Sequence, residues 1–379
     1  MKKVLIVNPH YYPGYKSGGP QQTVCNICDA YSEKADIYLV TKNCDFGENE
    51  PYPNIETNKW YSSRGISVMY VEPKEYGIPL FKRLYKEFDH ILCCGLFATS
   101  TVKFLAVHRF MRRKKELFVA PMGVFNRNAF GSKKTKKATF IKAGIVSGLF
   151  KDIIWSFTSE NEKTDAEAIL GKKGIKRSII AEDIPKRPEA SITGSLKKIK
   201  KAGHLDVIFL SRICPQKNLM QVLEIIDAEY DGTITLDIYG TTEDKPYWNE
   251  CKKKMKTLPN NIKAEYKGAL RPDETVEVFS NHDVFLFPTK GENFGHVIYE
   301  SLLGGCLPII SDETPWKDLD DNDCGKVIPL DDTKQYKIAV ADYLKIGEAF
   351  ESLRMNAVNY ANNKYAEATL NSGYDKVFL

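Results

Sequence analysis

Lys290-Gly291-Glu292-Asn293-Phe294-Gly295-His296-Val297-Ile298-Tyr299-Glu300 follows the apolar run Val284-Phe285-Leu286-Phe287-Pro288 and leads into an apolar stretch that ends at Gly304-Gly305. The run reads as a buried parallel strand and the later stretch as a helix stopped by glycine. Glu292 then sits in the loop before the helix, and Glu300 lies about a turn and a half inside it. Backbone N–H groups near Phe294, Gly295 and His296 form an anion site there, reinforced by the helix dipole. Carboxylates beside a phosphate repel it, but they accept hydrogen bonds from hydroxyl groups. A phosphate joined to a polyol, as in a sugar nucleotide, satisfies both halves of this loop.

Outward from this segment the chain alternates strand and helix. In the first half, strands are expected at 4–8, 36–41, 66–71, 90–94, 117–120, 153–157 and 177–180, with helices at 20–32, 79–88, 97–113, 136–150 and 160–170. Segment 186–204 reads as a linker containing Pro, Gly, Ser and a lysine run. A second alternation follows, with strands at 207–211, 235–239, 264–267, 284–287, 307–311 and 326–329, and the tail from Thr333 reads as helical. Such alternation predicts parallel sheets covered on both faces, and 379 residues are about right for two α/β domains. We expect an N-terminal domain over 1–185, joined by a C-terminal helix near 360–379, and a C-terminal domain over 205–359.

Composition narrows the class. Apolar content of 43% and charged content of 27% are ordinary for a globular protein. No run of 18 apolar residues is present, which leaves no candidate membrane-spanning helix. Nine scattered cysteines in expected strands and helices point to reduced thiols and a cytoplasmic setting. Cys25 and Cys28 are helix neighbours with no second pair to complete a zinc shell, so packing is their expected role. Charge is lopsided: between 103 and 142 stand 12 basic residues and one acid, Glu116. This zone predicts contact with an anionic membrane, with Phe104, Leu105, Phe110, Phe125 and Phe130 as candidate apolar contacts. Nucleic acid is not the expected partner.

Two further loops carry chemistry. Ser211-Arg212-Ile213-Cys214-Pro215-Gln216-Lys217-Asn218 follows the first strand of the second half, where an open parallel sheet presents its ligands. Arg212 and Lys217 put two cations on that loop, one a bidentate fork and the other a point charge. The loop Pro13-Gly14-Tyr15-Lys16-Ser17-Gly18-Gly19-Pro20 joins the first strand to the first helix, and Gly18 and Gly19 permit close backbone approach. Asp321-Asn322-Asp323 has the form of a metal-binding Asp-x-Asp but lies in a polar stretch, which reads as an exposed turn. Ser159-Glu160-Asn161-Glu162 reads as a helix cap.

The Glu292/Glu300 spacing across Phe294-Gly295, with Arg212 and Lys217 upstream, resembles glycosyltransferase family 4, the group 1 glycosyltransferases of bacterial polysaccharide biosynthesis. The resemblance covers most of the chain and is strongest from about 206 to 327. It implies the GT-B fold, two Rossmann-like domains facing across a cleft with a C-terminal helix crossing back, and transfer with retention of anomeric configuration. It also assigns roles. Arg212 and Lys217 grip the donor diphosphate, and Glu292 orients hydroxyls of the transferred sugar. Asn293, Phe294, Gly295 and His296 line the sugar and phosphate, Val297 touches the nucleotide through its backbone, and Glu300 binds the ribose. Tyr239 and Gly240 end a further strand of the donor site, and Ala269 and Leu270 lie near the base. Gly18 and Gly19 meet the donor phosphates and the acceptor. The acceptor is a glycan or a lipid-linked glycan, the donor is a nucleotide sugar such as a UDP-sugar, and no metal or other cofactor is expected.

One departure from the family stands out. Many members carry a histidine near the fifth N-terminal strand, where this chain has Pro121-Met122-Gly123-Val124-Phe125-Asn126-Arg127. His10 and His108 do not match that position, and Asn126 and Arg127 become the alternative candidates. Two other readings stay open at this level: a sugar-nucleotide epimerase or phosphorylase on the same fold, and a basic membrane- or polyanion-binding module.

Overall fold

The computed structural model describes residues 2–112, 114–125, 134–171, 174–188, 199–370 and 372–379. They fall into two compact units, Met1–Arg187 with Glu367–Leu379, and Pro188–Ala366.

The first unit is built on strands β1 (Lys3–Val7), β2 (Asp36–Lys42), β3 (Trp60–Ser63), β4 (Ile66–Val71), β5 (His90–Cys94), β6 (Glu116–Ala120), β7 (Ile154–Phe157) and β8 (Ser178–Ile180). They form one sheet in the order β3-β4-β2-β1-β5-β6-β7-β8. Helices α1 (Gly19–Tyr31), α2 (Ile78–Glu87), α3 (Thr99–Phe110), α4 (Lys134–Val146) and α5 (Glu160–Leu170) connect its parallel strands. β1 and β5 are buried along almost their whole length, as strands covered on both faces must be. The edge strand β3 runs antiparallel to β4 and was not expected. Its hairpin turns on Arg64 and Gly65, both at positive φ, which is the geometry of a type I′ turn. Arg-Gly is a weaker signal for that turn than Asn-Gly.

The second unit has strands β9 (His204–Leu210), β10 (Thr233–Tyr239), β11 (Ile262–Gly268), β12 (Val284–Phe287), β13 (Leu307–Ser311) and β14 (Lys326–Ile328). All pair in parallel, in the order β11-β10-β9-β12-β13-β14. This is the doubly wound Rossmann order, with its reversal between β9 and β12. Helices α6 (Leu219–Ile226), α7 (Lys245–Met255), α8 (Thr275–Ser280), α9 (His296–Leu303) and α10 (Thr333–Lys345) complete it. Every residue of β12 is buried, and each such side chain contributes roughly 1.5–3 kcal/mol relative to exposure.

Helix α11 (Phe350–Leu370) carries the chain from the second unit back to the first. In the second unit Arg354, fully buried, donates to Asp283 at 2.6 Å and to the carbonyls of His282 and Gly305. A buried ion pair of this kind holds the helix because removing one partner strands the other charge. In the first unit the short helix α12 (Asp375–Phe378) closes on α1: Tyr31 donates to Asp375 at 2.5 Å, and its ring stacks on Phe378. All nine cysteines are free thiols. Cys25 and Cys28 are buried in α1, and burial pushes both thiols well up, as packing residues require.

Candidate functional site

In a doubly wound sheet, ligands bind beyond the C-terminal strand ends at the point where the strand order reverses. In the second unit that point lies between β9 and β12, and their following loops are 211–218 and 288–295. These are the loops that carry Arg212, Lys217 and Glu292. The structure stitches them together. Lys290 N–H donates to the Gln216 carbonyl at 3.0 Å, and the Asn218 side chain donates to the Pro288 carbonyl at 2.9 Å. Asn218 itself adopts the left-handed conformation before α6, which its short polar side chain tolerates.

At the centre, Lys217 and Glu292 form a direct ion pair, Nζ to Oε1 at 2.5 Å, with only 14% and 12% of their side chains exposed. The same carboxylate oxygen accepts from the hydroxyl of buried Thr289 at 3.2 Å. The Lys217 ammonium also lies over the Phe287 ring at 5.7 Å. The sequence reading assigned Lys217 and Glu292 to different parts of a ligand, and the structure makes them one unit. Glu292 fixes the lysine's position, and the lysine balances the carboxylate's negative charge. Arg212 is different: its side chain is 58% exposed and lies 3.8 Å from equally open Glu243. It is a cation available to a ligand.

Helix α9 begins beside this pair. Gly295 caps it at φ 82°, a conformation that favours glycine, and its carbonyl accepts from the N–H groups of Ile298 and Tyr299. Phe294, Gly295, His296 and Val297 precede or begin the first turn, at the positive end of the helix dipole. Glu300 is buried in the second turn. Loss of solvation lowers the His296 pKa to about 4, although the residue as a whole is half-buried. Its side chain is therefore a neutral imidazole at neutral pH.

Two residues of this site escaped the sequence reading. Thr289 supports Glu292 from within the segment already singled out, but one threonine after a proline carries no distinct signal. Trp316, 5% exposed, donates from its indole to the Phe294 carbonyl at 2.6 Å. Its ring packs edge-on against Phe294 and tilts against Tyr299. It thus fixes the loop's carbonyl side, away from the direction its N–H groups serve. A lone tryptophan in the polar stretch 312–325 was the available clue.

The remaining donor candidates lie on the same sheet edge. Gly240 ends β10 so close to Ser211 that a Cβ there would stand 1.8 Å from the Ser211 carbonyl oxygen, so only glycine fits. Tyr239 is half-buried before it, and Tyr266 donates to the Gly240 carbonyl at 2.8 Å. Ala269, exposed, and Leu270, half-buried, follow β11. Asp321-Asn322-Asp323 is an exposed turn, and among the described residues no group of three His, Cys, Asp or Glu could hold a metal ion.

The first unit places its candidates less tightly. Gly18 and Gly19 are exposed before and at the start of α1, with open space around them. The N–H groups of Tyr15 and Lys16 in the same loop already donate to the Asp45 carboxylate at 3.0 and 3.2 Å. That half of the loop holds an internal anion. Asn126, Arg127 and Phe130 lie outside the described residues. His108 is buried between the Tyr85 hydroxyl at 2.9 Å and the Asp152 carbonyl at 3.2 Å, and desolvation lowers its pKa to about 4. Its role is structural. His10 stands just beyond β1, its ring edge-on to Phe46, with burial again lowering its pKa. Ser159 caps α5 by accepting from Glu162 N–H at 3.1 Å, while buried Glu162 accepts from Gly123 N–H at 2.7 Å. Phe104, Leu105 and Phe125 are fully buried core residues and offer no membrane contact.

A protein from the cps region of Klebsiella pneumoniae, itself uncharacterised, is 22% identical over 306 residues, covering 78% of this chain and 79% of its own. The structure of HepE from Anabaena in complex with UDP and glucose superposes with a TM-score of 0.66 at 14% identity, covering 97% of both chains. WaaG, a glycosyltransferase involved in lipopolysaccharide biosynthesis, gives a TM-score of 0.58 at 14% identity over 96% of this chain and 95% of its own. Residues 195–364, within the unit that carries Lys217 and Glu292, match the family model described as Glycosyl transferases group 1, and the chain has the GT-B fold.

Proposed function

We propose that the protein is a retaining glycosyltransferase that moves a sugar from a nucleoside diphosphate, UDP by preference, to an acceptor hydroxyl. The observation that carries this reading is the Lys217–Glu292 pair beside the start of α9, at the reversal point of a Rossmann sheet. The group 1 match over the same unit supports it, and so does the UDP and glucose bound by HepE.

In this mechanism the bond between the anomeric carbon and the β-phosphate oxygen breaks, and negative charge grows on the departing diphosphate. Lys217, Arg212 and the N–H groups at the start of α9 meet that charge. Glu292 accepts from a hydroxyl of the sugar, and Glu300 from the ribose. The acceptor oxygen bonds to the anomeric carbon on the face being vacated, and its proton passes to the leaving phosphate oxygen. Cations and helix N–H groups neutralise the diphosphate, so no divalent ion is needed. Nucleotide sugars and free thiols fit a cytoplasmic setting, and the cps-region relative favours a glycan or lipid-linked glycan acceptor in polysaccharide assembly.

The test is transfer from a panel of UDP-, GDP- and ADP-sugars in the presence of EDTA, with product configuration read by proton NMR. The expected result is an anomer matching the donor's, formed from a UDP-sugar without metal. An inverted product, or activity that returns only with Mn²⁺ or Mg²⁺, contradicts the mechanism.

A further inference from the structure

Glu162 does more than a helix cap requires. It is the third residue of α5, where a capping box would turn its carboxylate back onto the N–H of Ser159. The side chain is instead 1% exposed and accepts from Thr158, through its N–H and its hydroxyl at 2.9 Å each, and from the Gly123 N–H at 2.7 Å. One oxygen thus holds the loop after β7, and the other holds the loop after β6. All three donors are neutral. Burial pushes the carboxyl pKa up, and these hydrogen bonds pull it back. A glutamine could not replace it, because a carboxylate accepts at both oxygens while an amide would turn its NH₂ group toward one of the N–H donors.

The loop that Glu162 holds is unusual. Directly after β6 the backbone passes through two successive left-handed residues, Met122 at φ 59° and Gly123 at φ 75°. Glycine adopts that conformation freely, but methionine does not. A non-glycine residue persists there only when its surroundings over-determine it, and such residues cluster at functional sites. The loop is fixed on both sides of the bend. Glu162 takes the Gly123 N–H, and buried Phe125 packs edge-on against Trp155 and Phe157 of β7. Met122 and Val124 remain half-buried. The end of β6 is tied in turn to the loop after β5, where Gly95 N–H donates to the Ala120 carbonyl at 2.9 Å. β5 and β1 flank the reversal of the first sheet, the edge at which such a sheet presents its ligands.

We propose that Glu162 is a positioning residue for the acceptor: by holding the Met122–Gly123 bend it sets loop 121–124 as one wall of the acceptor site on the first unit. This rests on the transferase reading, in which the second unit holds the donor and the acceptor falls to the first. Glu162 acts through the loop and touches no reacting atom. The test is steady-state transfer from a UDP-sugar to the best acceptor among octyl glucoside, galactoside and mannoside, with UDP affinity measured by calorimetry on the same samples. Glu162→Gln should lower kcat/KM for the acceptor at least about tenfold, the loss expected for a buried charge-assisted hydrogen bond, while UDP affinity stays within about twofold of wild type. Met122→Ala keeps the Gly123 hydrogen bond and alters a half-buried side chain, so it keeps the fold. It should raise the acceptor KM at least about threefold with kcat little changed, as loss of part of an apolar contact implies. Circular dichroism confirms that both variants fold. The proposal is overturned if Glu162→Gln weakens UDP binding as much as it lowers acceptor kcat/KM, which marks a general structural role. It is also overturned if Met122→Ala leaves the acceptor KM unchanged. UDP binding by wild type reports on the transferase reading itself, so its failure is separable from failure of this assignment.

Discussion

The two units of this chain share a topology but not a chemistry. In each, a sheet of mainly parallel strands reverses its strand order beside its first strand, and a loop leads from that strand into a helix. In the second unit the loops at the reversal bind one another through charged side chains, Lys217 to Glu292, with Thr289 behind and Trp316 bracing the backbone. In the first unit the corresponding loop turns its N–H groups onto its own carboxylate, Asp45, and leaves Gly18 and Gly19 open. The shared fold fixes where these loops lie, and the side chains at the reversal decide how each loop is held.

The largest effect that tests this contrast is on turnover. Lys217→Ala should lower kcat by about 10²–10³, the usual loss when a group facing transition-state charge is removed. Gly19→Ala adds a methyl group in open space and should lower kcat/KM by less than about tenfold. Steady-state rates of the two variants decide between the loops. A Gly19→Ala loss as deep as that of Lys217→Ala would show that the first unit's loop meets the reacting group, and the contrast breaks.

Acid sensitivity is the next effect. His108 in the first unit and His296 in the second both have pKa values lowered to about 4 from 6.5. A depressed histidine means that the unfolded chain binds more protons between those values. Stability is therefore fully present above about pH 6.5 and is lost as pH falls toward 4. For fully buried His108 the loss is of the order of 3 kcal/mol, with a smaller loss for half-buried His296. Thermal melts at pH 7 and pH 4.5 should show the fall, and His108→Gln should make it shallower. A melting temperature that holds steady across this range argues against the buried neutral state.

Much of this was legible in the sequence, for identifiable reasons. Buried parallel strands such as Val284–Phe287 read as continuous apolar runs, and α5 could be placed from Ser159 and its early acids. Lys217, Glu292 and Glu300 stood out because charged residues beside a strand end or inside an apolar helix need a reason. What stayed hidden depends on distant partners. The antiparallel β3 rests on an Arg64-Gly65 turn whose conformation the sequence does not announce. The Lys217–Glu292 pair joins residues 75 positions apart, and Asp45 reaches the glycine loop from the loop that follows β2. Phe104 and Phe110 sit on one helix, yet one is core and the other is surface, and only the packing of the helix separates them.

The smallest effect sharpens the second unit's side of the comparison. Trp316→Phe keeps the ring but removes the indole N–H from the Phe294 carbonyl. A hydrogen bond of this kind is worth about 1 kcal/mol net, so donor affinity should fall about fivefold with kcat little changed. A fall confined to kcat would show that Trp316 acts on the chemical step instead of on the loop's ground-state geometry.

The central claim is that the second unit binds a nucleoside diphosphate without metal, and titration calorimetry with UDP in EDTA tests it most directly. The account predicts saturable one-to-one binding to wild type. Glu300→Gln should weaken it by about tenfold or more, in line with a lost charge-assisted hydrogen bond, and Glu292→Gln should weaken it less. Absence of UDP binding in EDTA, or equal losses in the two variants, would contradict the account.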